Sequence, residues 1–157
     1  MKGLIDMECI LGKTINDIEL GESASYSKTF TEEDVVAFAK ISGDFNPVHL
    51  NEEYAKTTMF KSRIVHGALV SSLFSTVFAA QCPGYGCIYF RQDSKFIAPV
   101  YLNDTITATV KVIEIQLEKG RVIFDTIAKN QKGDTVVVGS ATVYPRKEIT
   151  INKSSNK

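Results

Sequence analysis

The segment 67–81, GALVSSLFSTVFAAQ, constrains this chain more than any other. Leu69, Val70, Leu73, Phe74, Val77 and Phe78 fall at i, i+1, i+4, i+5, i+8 and i+9. On a 3.6-residue repeat that makes one broad apolar stripe. The opposite side carries Ser71, Ser72, Ser75, Thr76 and Ala79, and no charge at all. A long helix with a small, neutral second face predicts burial on both sides, the place of a central helix. The run Cys82-Pro83-Gly84-Tyr85-Gly86 stops it.

The rest of the chain must supply what covers such a helix. Residues 23–30 read as a first strand. Thr31 is followed by three acids, which suits a helix start, because the free N–H groups there favour oxygen acceptors and negative charge. Val35, Val36, Phe38, Ala39 and Ile41 give that helix an apolar face, and Gly43 ends it. Residues 43–50, GDFNPVHL, read as a loop, and Asn51 caps a short helix over 52–57. From residue 87 the pattern turns to strands: 87–98, 104–118, 122–129 and 135–144. Within 104–118 the apolar phase slips from Ile106, Ala108, Val110 and Val112 to Ile113, Ile115 and Leu117, which predicts a β-bulge. Helices first and hairpin-linked strands after them give an α+β plan. The expectation is a single domain over 1–157: an antiparallel sheet of about five strands wrapped around the long helix, with an N-terminal arm over 1–21 and a polar tail over 146–157.

Composition narrows the function classes. The 157 residues suffice for one domain with a real core. Eighteen Lys plus Arg balance eighteen Asp plus Glu, so bulk charge gives no support for a nucleic-acid or membrane partner. No apolar run approaches the ~20 residues that span a bilayer, and the N-terminus lacks the apolar core of a signal peptide. The three cysteines, Cys9, Cys82 and Cys87, form no CxxC pair. They argue against a disulfide framework and, with only two histidines, against a zinc site. A cytoplasmic protein is expected.

Both histidines sit at sharp punctuation. Asp44 and His49 flank Asn46-Pro47 in Ile41–His49, and His66 precedes Gly67 at the start of the long helix. A loop that folds back could hold a water between a carboxylate and an imidazole, one group taking its proton and the other returning it. Equally, Asp44 could accept at a helix end and His49 could pack or cap. Gly67 lets a ligand approach the free N–H groups of a helix tip, which stabilise an oxyanion, or it could simply relieve crowding. His66 suits a bond that fixes the loop better than a direct chemical role. Ser71, Ser72 and Ser75 form no nucleophile elbow. Cys82 and Cys87 have no neighbouring base, and Gly84-Tyr85-Gly86 is not a phosphate loop.

Three segments together, SGDFNPVH over 42–49, RIVHG over 63–67 and FIAPVYLNDTI over 96–106, resemble a known family, the MaoC-like (R)-specific enoyl-CoA hydratases. The resemblance runs from about Phe30 to Val143. It implies a hotdog fold, a homodimer or higher homo-oligomer, and an acyl tunnel at or near the subunit interface. It implies Asp44 and His49 as the catalytic pair and the Gly67 N–H as donor to the thioester oxygen. The reaction implied is reversible syn addition of water to a trans-2-enoyl-CoA, giving an (R)-3-hydroxyacyl-CoA, with no metal or redox cofactor. Which of the pair is the base stays open, with Asn46, Pro47 and His66 as supports. Ser71 and Ser75 on a tunnel wall would leave room, while Phe74 or Phe78 would cut its depth, so a short acyl chain of roughly four to six carbons is expected from side-chain bulk. Lys61, Arg63 and Arg91 are candidates for the CoA phosphates. The rivals are a carrier-protein dehydratase, a hotdog thioesterase and a non-catalytic acyl-binding module.

Overall fold

The computed structural model describes residues 11–148; Cys9, the first part of the arm and the tail from 149 lie outside the described residues. Strand β1 (Ser23–Thr29) leads into helix α1 (Glu32–Ser42). Thr31 caps α1, bonding Asp34 N while the Asp34 carboxylate accepts from Thr31 N at 2.9 Å. This reciprocal box satisfies two free donors of the first turn. Gly43 ends α1 in the left-handed region at φ 79°, where a Cβ would be strained.

Residues 43–50 are not all loop. Pro47–Leu50 form a short helix, α2, followed by α3 (Glu52–Thr57). Asn46 accepts from Val48 N as cap, and Pro47 takes the first helical position. The same Asn-Pro pair that reads as a break therefore starts a helix, since proline's fixed φ suits the first turn and its missing N–H has no partner there anyway.

Helix α4 (Gly67–Ala80) follows, and then β2 (Ile88–Phe96), β3 (Thr105–Gln116), β4 (Arg121–Lys129) and β5 (Thr135–Tyr144). The five strands form one antiparallel sheet in the order β1-β3-β4-β5-β2. The register of β3 against β4 shifts between Val112 and Glu114, where the apolar phase slips. Val70, Leu73, Phe74, Val77 and Phe78 of α4 are buried against the sheet. Phe78 packs edge-on to Phe124 with ring centroids 5.0 Å apart. Full burial of a side chain this size stabilises by about 1.5–3 kcal/mol.

The second face of α4 departs from expectation. In the single chain Ser72, Ser75 and Thr76 are exposed, and Ser71 and Ala79 are half-buried. One sheet can cover only one side of a helix, so the neutral side is left open. Among the described residues no helix is long and apolar enough to cross a membrane.

Candidate active site

The site is built where the end of α1, the start of α2 and the tip of α4 meet. After Gly43 the chain makes two short polar turns. Asp44 Oδ1 accepts from Asn46 N at 3.1 Å, and Asn46 Oδ1 accepts from Val48 N at 3.3 Å. These bonds hold the Asp44 carboxylate at the surface, half exposed, while α2 carries His49 inward to 8% exposure.

His49 Nδ1 lies 2.8 Å from the carbonyl oxygen of Ile64. A carbonyl only accepts, so Nδ1 carries the proton and Nε2 presents a lone pair in the neutral ring. That Nε2 lies 4.0 Å from Asp44 Oδ2, room for a bridging water rather than a direct bond. Burial pushes the His49 imidazole below its usual range; the Ile64 carbonyl and Asp44 oppose that shift, and His66 adds to it. The Arg63 side chain braces the same helix, its Nε donating to the His49 carbonyl at 2.8 Å and its Nη1 to Glu32 at 2.6 Å.

His66 is the N-cap residue of α4 and is 2% exposed. Its ring stacks on His49 with centroids 3.8 Å apart, and its Nε2 meets the Asp44 carbonyl at 3.1 Å. Gly67 is the next residue, so its N–H belongs to the first turn and has no acceptor within the helix. The Phe96 ring lies against it: a Cβ on Gly67 would fall 2.9 Å from that ring.

The segment over 96–106 reaches the site through its backbone. Val65 N donates to Val100 O at 2.7 Å, the Tyr101 hydroxyl donates to Phe60 O at 3.1 Å, and Asp104 accepts from Tyr101 N at 2.8 Å. Spacing gave no sign of these braces, nor of the Ile64 carbonyl, because a backbone acceptor leaves no side-chain signature.

Beside His49 and Gly67 opens a groove of about 430 Å³ with mostly apolar walls, including Met59, Phe60, Val70, Phe96, Pro99 and Val137. A larger groove of about 700 Å³ lies between the start of β2 and the end of β5 and contains neither histidine. The smaller is taken as the reactive one because His49 and Gly67 line it, while Asp44 and His66 stand behind His49 outside its walls.

The structure thus brings Asp44, His49, His66 and Gly67 together, with Asn46 and Pro47 shaping the turn. It does not bring Ser71, Ser75 or Phe78 to this groove. Ser75 faces solvent, Ser71 Oγ is buried without a partner, and Phe78 lies in the core against Phe124 and Tyr89. Two of the phosphate candidates are engaged elsewhere, Arg63 with Glu32 and His49, and Arg91 with Asp93 at 3.0 Å; Lys61 is exposed. Burial pushes the Cys82 thiol up to about 12, far from nucleophilic use at neutral pH.

Asp44, His49 and His66 offer ligand atoms within 4.8 Å of one another. The set fits a metal ion poorly. An ion would have to strip the proton from His66 Nε2 and break its bond to the Asp44 carbonyl, while Nδ1 has no partner to receive a shifted proton. The arrangement suits proton transfer through a held water beside an N–H donor.

Residues 16–135 match the family model described as "MaoC like domain". The chain belongs to the MaoC-like domain family. This MaoC-like chain is 48% identical over 127 residues to an (R)-specific enoyl-CoA hydratase of Rhodospirillum rubrum, spanning 81% of the chain and 88% of the relative. Its fold superposes on an (R)-hydratase from Aeromonas caviae with TM-score 0.80 at 41% identity, covering 82% of this chain and 98% of that one. An unliganded (R)-hydratase from Pseudomonas aeruginosa gives TM-score 0.82 at 38% identity, covering 93% and 96%. These likenesses place the hotdog architecture on the MaoC-like chain, and its named relatives are hydro-lyases.

Proposed function

We propose that this chain is an (R)-specific enoyl-CoA hydratase acting on short acyl chains. The reading is carried by one observation: the His49 Nε2 lone pair and the Asp44 carboxylate face each other across 4.0 Å beside the Gly67 helix tip. Its hydratase relatives support the substrate class.

A water held between Asp44 and His49 attacks Cβ of the enoyl thioester. His49 Nε2 takes one water proton as the C–O bond forms, and Asp44 accepts the hydrogen bond of the other. The electron pair of the double bond moves to the thioester oxygen, where the Gly67 N–H and the positive end of α4 meet the growing charge. The His49 imidazolium then returns its proton to Cα. One group takes and gives the proton from one side, so oxygen and hydrogen add to the same face. Every transfer is a proton transfer, and the step calls for no metal or redox cofactor. Val70, Phe96 and Val137, which wall the groove, support a short acyl end by their bulk.

A second copy of the chain is the partner we propose for the uncharged open face of α4, in a homodimer or larger assembly. The decisive assay follows the enoyl absorbance of crotonyl-CoA, with chiral analysis of the product. Loss of absorbance with an (R)-3-hydroxy product is expected. Release of free thiol instead would make the protein a thioesterase.

A further inference from the structure

We infer that His66 is a positioning residue that fixes the acid–base pair relative to the Gly67 N–H. The inference rests on the hydratase reading above and assigns a role to a side chain outside the groove walls.

His66 is held on three sides. Its Nε2 meets the Asp44 carbonyl at 3.1 Å, its face stacks on His49 at 3.8 Å and 29°, and Phe38 lies 4.9 Å away. Because a carbonyl oxygen only accepts, Nε2 must carry the proton. Nδ1 is buried with no partner. A lone pair there costs less than a second N–H donor left without an acceptor, so the neutral Nε2–H tautomer is the one the packing selects.

The consequence is geometric. The turn bonds between Asp44, Asn46 and Val48 shape the loop internally but do not tie it to α4. His66 does, since it is the N-cap of α4 and the chain neighbour of Gly67. The Ile64 carbonyl fixes the tautomer of His49, and the stacked His66 ring fixes the plane in which His49 points Nε2. One side chain thus sets the distances among acid, base and oxyanion donor. A misplacement near 1 Å at such a site costs about 10²-fold in rate.

The test uses three variants and one spectroscopic reading. His66→Gln keeps an N–H near the Nε2 position and should retain nearly the wild-type kcat. His66→Asn places its amide near Nδ1 instead, and His66→Leu has no donor; both should lose about 10²-fold in kcat with KM little changed. The protein has only two histidines, so ring-nitrogen NMR resolves both tautomers: Nε2–H for His66 and Nδ1–H for His49. An Nδ1–H tautomer at His66 overturns the inference. So does a Leu variant as fast as wild type, or a Gln variant as slow as the Leu one. The tautomer reading does not depend on turnover: a wild type that leaves enoyl-CoA unchanged but shows Nε2–H at His66 refutes the hydratase reading and upholds the tether.

Discussion

The Arg63 guanidinium joins two segments by donating at once to the backbone carbonyl of His49 and to the carboxylate of Glu32. Its side chain is only 13% exposed. Arg63→Met would leave the His49 carbonyl without its donor in a half-buried place. We expect a loss of about 1–3 kcal/mol, read as a lower urea midpoint, because a buried acceptor left unsatisfied carries that cost. An unchanged midpoint would make the contact incidental.

Asp44→Asn keeps an oxygen for the Asn46 N–H but removes the carboxylate charge, and His49→Gln removes the base. Each should cut kcat for crotonyl-CoA hydration by about 10²–10⁴-fold. Melting temperatures near that of the wild type would separate lost chemistry from lost fold.

Gly67→Pro deletes the N–H at a position where proline suits a helix start. Loss of one oxyanion donor predicts a drop of about 10²–10³-fold in kcat. Gly67→Ala is the control, since it keeps the N–H and only presses on the Phe96 ring, which is half exposed and free to give way. Equal losses in the two variants would point to crowding rather than to the donor.

His49 is held below the ordinary imidazole value of ~6.5, chiefly by burial. The acid limb of kcat/KM should therefore fall at a pH below ~6.5, because the base stays unprotonated longer than a free imidazole would. Stability follows the same sign. As pH drops, the unfolded chain takes up the proton first, so the contribution is present above the unfolded value and is lost as pH falls through the folded one. Thermal melts between pH 7.5 and 5.5 should show this slope in the wild type and a flatter one in His49→Gln.

Thr76→Glu puts a charge on the open face of α4 without touching the sheet side. If a second copy covers that face, burying an unpaired charge there should shift the mass in light scattering toward the single chain. A variant that assembles as the wild type does would place the contact elsewhere.

Much of the fold was legible because its signals are local. The α4 stripe, the Thr31 cap, the Gly43 stop and the phase slip after Val112 each lie within a few residues. Helix α2 was hidden because Asn46-Pro47 has two readings, and only the following turn decides between them. The open side of α4 was misjudged because a neutral face reports what it tolerates, not whether the single chain covers it. At the site, Asp44, His49 and Gly67 stood out by residue type. Their support did not: the His49–His66 stack, the Ile64 acceptor and the Arg63 brace exist only once distant segments meet.

The clamp from Val100 and Tyr101 onto the segment before α4 carries a lesson about when such a catalyst comes into being. Every group assigned to proton transfer has already been made by residue 67, yet the bonds that brace Val65 and Phe60 behind them arrive more than thirty residues later. A nascent chain halted at the start of β2 would own the full chemical inventory and its Ile64, Arg63 and His66 partners, but not the braces that Val100 and Tyr101 place behind them. The site is thus assembled from near neighbours in sequence and backed by a segment far along the chain.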